Sequence, residues 1–202
     1  MNNVNEPEFW QGFYRANETR WDLGEPTPVF VRLAQSGQFD TGKMIVLGAG
    51  RGHDARMFAQ HGFTVTAVDF ADEAIQTMQE RNDPQHPIEV VQSDFFWLPP
   101  DFNGRYQYVL DYTSFCAIHP SRRGEYADLV TRLLVENGRY ITLAYPIGTR
   151  PGGPPFTVQP DNIIALFAER HFHLTHREMP EDSVPSRKGV EELLVLQKAK
   201  NG

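Results

Sequence analysis

Short apolar runs alternate with amphipathic stretches along most of the chain. The runs predict β-strands over residues 44–47, 64–70, 87–91, 106–110 and 139–144. Helices are predicted between them, over residues 52–61, 71–81 and 121–135. In the last of these helices the apolar side chains recur at the spacing of one helix face. Repeated strand–helix units predict a parallel sheet with right-handed crossovers.

The end of the chain follows a different pattern. Asn137 and Gly138 predict a helix stop before the fifth strand. Two further strands are predicted over residues 172–178 and 191–198, with no long helical pattern between them. A link without a crossover helix favours an antiparallel pair. We therefore expect an α/β fold with a seven-stranded, mostly parallel sheet that ends in an antiparallel hairpin.

Two segments lie outside the alternation. Residues 5–37 are rich in aromatic side chains, and residues 146–160 form a long Pro/Gly loop directly after the fifth strand. Ligands of such sheets bind beyond the carboxyl ends of the strands, so this loop and an N-terminal arm are expected to close the site. We expect one domain over residues 1–202, with residues 1–40 as an arm that covers a cofactor.

Composition narrows the function classes. The 202 residues are 40% hydrophobic, and no apolar stretch approaches the roughly 20 residues that span a membrane. A net charge of −7 without a run of basic residues argues against nucleic-acid binding. The N-terminus has no secretory pattern, and Cys116 is the single cysteine, so neither a disulfide nor a Cys-rich metal site is expected. A cytoplasmic monomer that acts on a small molecule, without a metal, is the expectation.

The strongest chemical signal is a glycine-rich turn after the first strand. Gly48, Gly50 and Gly52 follow that strand directly, and the second strand carries Asp69 near its end, 21 residues after Gly48. Such glycines let the backbone pass close to a ligand, and a carboxylate at the second strand tip accepts hydrogen bonds from ribose hydroxyls. The pattern therefore predicts a site for a nucleotide-type cofactor.

The glycine spacing also discriminates between cofactors. His53 occupies the position of the third glycine of a dinucleotide fingerprint, where helix and strand close around a pyrophosphate. The presence of His53 weakens the hypothesis that the protein is an NAD-dependent oxidoreductase, although this hypothesis stays open as an alternative. It favours an adenosyl cofactor without a pyrophosphate, such as S-adenosylmethionine.

Several motifs in one order resemble the thiopurine S-methyltransferase family, most closely its halide and thiol methyltransferase branch. These motifs are F-W-x3-Y-x6-W-D-L-G-x-P-T-P (9–28), LGAGRGHD (47–54), SDFF (93–96), DYTSFCAIHP (111–120) and ITLAYPIGTRPGGPPFTV (141–158). The resemblance covers residues 9 to 198. It implies a class I, Rossmann-like methyltransferase fold and methyl transfer from S-adenosylmethionine, which leaves S-adenosylhomocysteine. The implied acceptor is a small sulfur or halide nucleophile, such as a thiol, hydrosulfide, thiocyanate or iodide.

The resemblance also assigns candidate cofactor contacts. With Gly50 of the glycine turn, these are Trp10, Tyr14, Trp21, Gly48, Asp69, Asp94, Phe95 and Tyr112. Related halide and thiol enzymes often have a third tryptophan where this chain has Tyr14. In thiopurine-directed members the corresponding residues tend to be Glu and Arg. The presence of Asp69 and Tyr112 in this chain therefore favours the halide and thiol methyltransferase branch.

Tyr145, at the end of the fifth strand, is the candidate catalytic residue, because its hydroxyl can donate to an incoming anion or thiolate. Asp94 has an alternative role as a helix N-cap. Cys116 is expected to be a small buried residue, and His119 a helix-start residue at the surface. Two other functions stay open: an aromatic-thiol (thiopurine) or chalcogen methyltransferase, and a non-catalytic sensor of an adenosyl ligand.

Overall fold

The computed structural model describes residues 4–200. Within that range seven strands form one sheet, in the order β3-β2-β1-β4-β5-β7-β6. The strands are β1 (Lys43–Leu47), β2 (Thr64–Asp69), β3 (Glu89–Gln92), β4 (Tyr106–Tyr112), β5 (Leu134–Ala144), β6 (Phe172–Glu178) and β7 (Glu192–Lys198). β1 pairs with β2, β2 with β3 and β4 with β5 in parallel, whereas β7 is antiparallel to both β5 and β6. The predicted fold class and its terminal hairpin are confirmed.

Six α-helices accompany these strands in the described part of the chain. They are α1 (Pro7–Arg15), α2 (Pro28–Gln35), α3 (His53–Gln60), α4 (Asp72–Glu80), α5 (Arg123–Leu133) and α6 (Pro160–Ala168). The three helices predicted between strands are present, with slightly shorter bounds. Helix α6 was not predicted from the sequence; it begins at the end of the Pro/Gly loop. None of the helices within residues 4–200 has the length and apolar character needed to cross a membrane.

The start of β5 corrects one prediction. Helix α5 ends at Leu133, and the chain becomes extended at the buried residue Leu134, so Asn137 and Gly138 lie inside the strand instead of ending the helix. Asn137 has a φ of 60°, and the pairing of β4 with β5 shifts register between Tyr106 and Tyr108. The two residues therefore form an irregularity of the strand, a role that Asn and Gly also suit because both tolerate positive φ.

The chain divides into two compact units, one up to Leu98 and one from Pro99 onward. In the first, β1 is buried along nearly its whole length, and the rings of Phe30 and Phe58 join its core. In the second, the rings of Tyr140 and Phe167 stack with centroids 4.6 Å apart. The expected single domain over 1–202 and the arm over 1–40 stay predictions, and residues 1–3 and 201–202 lie outside the described residues.

Candidate functional site

The glycine turn of the first unit leaves β1 in a conformation that favours glycine. Gly48, Gly50 and Gly52 have φ values of 63°, 54° and 71°, in the left-handed region. At Gly52 a Cβ atom would also lie 2.6 Å from the Cγ atom of Met78, on helix α4. The turn thus brings bare backbone to the point where α3 begins, as a close-fitting ligand requires.

Asp69 ends β2 beside this turn. Its side chain is buried, and its Oδ2 atom accepts a hydrogen bond of 2.7 Å from the Gly50 N–H. Its Oδ1 atom accepts one of 3.0 Å from the Ala71 N–H. Burial raises the pKa of this carboxyl, and the N–H groups of Ala71, Gly50 and Phe70 oppose the shift. Because a carboxylate can accept about four hydrogen bonds, Asp69 retains capacity for a ligand hydroxyl.

Aromatic side chains of the N-terminal arm pack over the same region. Helix α1 carries Trp10 and Tyr14, and the ring centroid of each lies 5.6 Å from that of Trp21. Tyr14 is buried against Ala71 and Ala74, and its hydroxyl lies 3.5 Å from the position of a Cβ atom built on Gly50. Burial, with a smaller contribution from the charge of Asp69, raises the pKa of Tyr14, so its hydroxyl remains protonated.

Asp22 fastens the arm to the glycine turn. Its carboxylate lies 3.0 Å from the Arg51 guanidinium and 3.3 Å from Nε2 of His53, and it accepts a hydrogen bond from the Gly24 N–H. Burial favours a higher pKa for Asp22, but His53, Gly24 and Arg51 outweigh it and lower that pKa. Asp22 was not predicted as a site residue, although it stands in the W-D-L-G motif.

Helices α3 and α4 also hold the arm through polar contacts. Asp54 accepts hydrogen bonds from the backbone N–H and the hydroxyl of Thr27, at 2.7 and 2.9 Å. Gln11 of α1 bonds the Glu73 carboxylate and accepts from the Asp72 N–H of α4. The arm is thus held at three places by polar contacts in addition to its aromatic packing.

Asp94 and Phe95 follow β3. The Ser93 N–H donates to the Asp69 carbonyl, so the chain leaves β3 next to the end of β2. The Asp94 carboxylate accepts from the Phe96 N–H at 2.9 Å and caps a short 3₁₀ turn, and the Phe95 ring is buried. The N-cap role considered for Asp94 is therefore present, and its contact with the cofactor stays a prediction. The eight candidate cofactor residues other than Tyr112 all lie in the first unit.

Tyr112 and Tyr145 meet in the second unit through an arginine that sequence reasoning missed. The Arg187 guanidinium carbon lies 4.7 Å from the ring centroid of Tyr112 and 4.9 Å from that of Tyr145. Arg187 is only 4% exposed. The Tyr112 hydroxyl donates a hydrogen bond of 2.6 Å to Glu191, which is 1% exposed. Burial, followed by the charge of Glu191, raises the pKa of Tyr112, which therefore keeps its proton.

The sheet register explains why these residues come together. Parallel pairing places Tyr112, the last residue of β4, opposite Leu143 of β5. Antiparallel pairing places Ala144 opposite Glu192, the first residue of β7. Tyr145 follows β5 and Glu191 precedes β7, so both lie beyond the carboxyl ends of β4 and β5. A carboxylate just before an apolar strand that pairs with β5 is the sequence signal that could have identified Glu191.

Two buried groups near Tyr112 and Arg187, the Cys116 thiol and the Asp111 carboxyl, have raised pKa values. Cys116 is buried, as expected; its thiol donates to the Thr113 carbonyl, and burial raises its pKa to about 12. Asp111 accepts hydrogen bonds from the hydroxyls of Tyr140 and Thr142, and burial raises its pKa to about 6. His119 is exposed and caps a 3₁₀ turn. Across residues 4–200 no group of three potential metal ligands occurs.

Comparisons with known proteins identify the family of this chain. The family model described as thiopurine S-methyltransferase matches residues 5–198. A probable thiol methyltransferase 2 of Arabidopsis thaliana is 31% identical over 188 residues, which cover 91% of this chain and 82% of that protein. The thiocyanate methyltransferase 1 of Brassica oleracea is 32% identical with the same coverage.

A solved structure shows the same fold. It is the 1,6-didemethyltoxoflavin-N1-methyltransferase of Burkholderia thailandensis, solved with S-adenosylhomocysteine. The match has a TM-score of 0.76 and covers 96% of this chain and 87% of that one. Its 19% identity supports a likeness of fold alone.

Proposed function

The chain belongs to the thiopurine S-methyltransferase family of S-adenosylmethionine-dependent enzymes, and from this premise we propose that it methylates a small sulfur or halide nucleophile. The candidates are a thiol, hydrosulfide, thiocyanate and iodide. Two plant relatives are named for thiol and thiocyanate methylation, which supports the small-nucleophile branch over thiopurines. A cytoplasmic location and a monomeric state are part of the same proposal.

The observation that carries the proposal is Arg187 between two tyrosine rings. Contact between a guanidinium and an aromatic face contributes roughly 0.5–2 kcal/mol. The Arg187 guanidinium makes two such contacts and is buried. Such a group stabilises a soft, polarisable anion or thiolate that has lost its hydration shell. In this proposal Tyr145 supplies the phenol that positions the nucleophile, the role expected for it from the sequence. Amines and alcohols, which usually need a strong base, gain less from this arrangement.

The residues of the first unit fit the family's cofactor. Asp69 has capacity for ribose hydroxyls, and the turn from Gly48 to Gly52 presents backbone without side chains. Trp10, Tyr14 and Trp21 would cover a cationic sulfonium and exclude water. Bound S-adenosylmethionine supplies an activated methyl group together with its own leaving group. The protein is left to orient the nucleophile and remove its water, which requires no metal.

A screen of volatile products tests the proposal. The purified protein is incubated with S-adenosylmethionine and each candidate nucleophile, and methylated products are measured by headspace mass spectrometry. Thiopurines, selenium oxyanions, catechols and amines are included as competitors. We expect turnover with at least one small thiol, thiocyanate or iodide. Faster methylation of catechols or amines would refute the proposal, and binding of S-adenosylhomocysteine without any turnover would indicate a sensor.

The role of Arg187 has a matched control. Arg187→Met keeps the length of the side chain and removes its charge, so we expect turnover to fall about tenfold or more while S-adenosylhomocysteine still binds. Arg177→Met makes the same change at a partly exposed arginine that pairs with Asp161 and Glu192. Equal turnover in the two variants would remove Arg187 from the nucleophile site.

A further inference from the structure

The Pro/Gly loop (residues 146–160) is closed at its neck by backbone hydrogen bonding. The Val158 N–H donates to the Pro146 carbonyl at 2.9 Å, and Ile147 forms a parallel bridge with Val158. Because the two ends of the loop are fixed to each other, the position of the residues between them depends on contacts with the rest of the second unit.

Two backbone contacts place this loop beside the nucleophile cluster of the proposed function. That cluster consists of Tyr112, Tyr145 and Arg187. On one side the Ile147 N–H donates to the Val190 carbonyl at 2.9 Å, directly before Glu191. On the other side the Phe156 N–H donates to the Cys116 carbonyl at 2.7 Å. Burial raises the pKa of Cys116 and the nearby charge of Arg187 opposes the rise. The loop therefore borders the cluster from two directions.

Arg123, the first residue of α5, holds this loop through its side chain. Its guanidinium carbon lies 4.9 Å from the ring centroid of the buried Phe115, and its Nη2 atom donates a hydrogen bond of 3.1 Å to the Thr157 carbonyl. Its Nε atom is buried and has no hydrogen-bond partner among residues 4–200. The Thr157 carbonyl thus serves as an acceptor for a partly desolvated cation, and hydrogen bonds to a charged donor are among the stronger ones. Arg123 therefore joins the segment after β4 to the Pro/Gly loop.

We propose that Arg123 is a positioning residue that fixes the Pro/Gly loop as a wall of the nucleophile site and thereby limits the size of the acceptor. The inference rests on the proposed function and names a residue that determines its substrate size. A loop fixed at its neck and again at Phe156 and Thr157 does not withdraw to admit an aromatic ring. Thiocyanate or a short thiol needs no such movement. Arg123 acts through the loop and takes no part in the methyl transfer itself.

Hydrogen exchange tests the positioning role without turnover. Arg123→Met keeps the length of the side chain but removes its charge and its hydrogen bond to Thr157. The informative amide is that of Phe156, which is bonded to the Cys116 carbonyl. We expect it to exchange about tenfold faster or more in the variant, the effect of losing a hydrogen bond to a charged group.

Two further variants control this measurement. Arg122→Met removes the same charge one residue earlier, from a guanidinium that makes two hydrogen bonds to Glu125, and should keep the wild-type exchange rate. Arg123→Lys keeps a charge and a donor, so it should retain most of the protection. If exchange in Arg123→Met also accelerates throughout β4 and β5, Arg123 has a general structural role and the proposal is overturned.

Selectivity between acceptors of different size tests the consequence for substrate. Each variant is assayed with S-adenosylmethionine and with either thiocyanate or thiophenol, an aromatic thiol. In Arg123→Met the ratio of kcat/KM for thiophenol to kcat/KM for thiocyanate should rise about tenfold, the factor by which loss of the charged hydrogen bond frees the loop. The KM for thiocyanate should rise by more than kcat falls, and the affinity for S-adenosylhomocysteine should not change. Arg122→Met should keep the wild-type ratio.

The outcomes separate this role from the proposed function. Faster exchange confined to the loop, together with a raised ratio in Arg123→Met, supports the proposal. An unchanged exchange rate shows that Arg123 does not hold the loop, and faster exchange with an unchanged ratio shows that the loop does not limit the acceptor. Either result overturns the proposal while the proposed function stands. If the wild-type protein methylates neither thiols nor thiocyanate, the proposed function fails, and the role in substrate size fails with it.

Discussion

Asp69 offers the sharpest test of the cofactor site, through the substitution Asp69→Asn. The carboxylate accepts one backbone N–H on each oxygen, from Gly50 and from Ala71. An asparagine has a single oxygen, so one of those N–H groups would face an amide NH₂ and lose its acceptor. The ribose hydroxyls would lose a charged acceptor at the same time. A hydrogen bond to a charged group contributes about 1.5–3 kcal/mol, so the affinity for the cofactor should fall about ten- to a hundredfold.

Isothermal titration calorimetry with S-adenosylhomocysteine measures this loss directly. Asp72→Asn is the matched control, because Asp72 is exposed at the start of α4 and its carboxylate accepts from the Gln92 side chain. Its affinity should equal that of the wild-type protein. Thermal unfolding of both variants shows whether the fold persists. If Asp69→Asn binds S-adenosylhomocysteine as tightly as the control does, Asp69 is a structural carboxylate and the assignment fails.

Three further predictions concern stability, the arm and the nucleophile. Burial raises the pKa of Asp111 to about 6, so its contribution to stability is present below about pH 4 and is lost as the pH rises through 6, by about 3 kcal/mol. Wild type should therefore lose melting temperature relative to Asp111→Asn, which does not titrate at this position, as the pH rises from about 4 to 6, and a constant difference would contradict the burial argument. Hydrogen exchange of residues 9–24 should slow when S-adenosylhomocysteine is added, and Asp22→Asn should speed it in the free protein; equal exchange with and without ligand would indicate a permanently docked arm. Tyr145→Phe should change turnover with thiocyanate or a thiol by more than it changes S-adenosylhomocysteine affinity, and the reverse result would place Tyr145 outside the nucleophile site.

Sequence patterns located the regular elements well where side-chain periodicity was strong. β6 has the predicted bounds, and β1 and β2 differ by one residue at one end. The prediction failed at the start of β5, where Asn137 and Gly138 resemble a helix stop. Local preference cannot tell a helix stop from an irregular strand, because both use residues that tolerate positive φ. Pairing with β4, a tertiary interaction, decides between them.

The candidate site likewise has residues that could be predicted from the sequence and residues that could not. Asp69 could be predicted because its partners, the glycine turn and β2, follow one another within a single strand–helix–strand unit. Arg187 and Glu191 could not, because their partner Tyr112 is 75 and 79 residues away and the segment between β6 and β7 has no periodicity. Their burial depends on the antiparallel register of β7, which the predicted hairpin implied but did not specify.

The link between β6 and β7 also has a consequence for how the enzyme could diversify. Arg187 and Glu191 belong to a connection that lacks regular structure, whereas most predicted cofactor contacts belong to the first unit. Insertions and deletions accumulate most readily in such connections, because they leave strand pairing intact. Evolution, or a directed-evolution library confined to residues 179–191, could therefore change which nucleophile is accepted while cofactor binding is inherited unchanged.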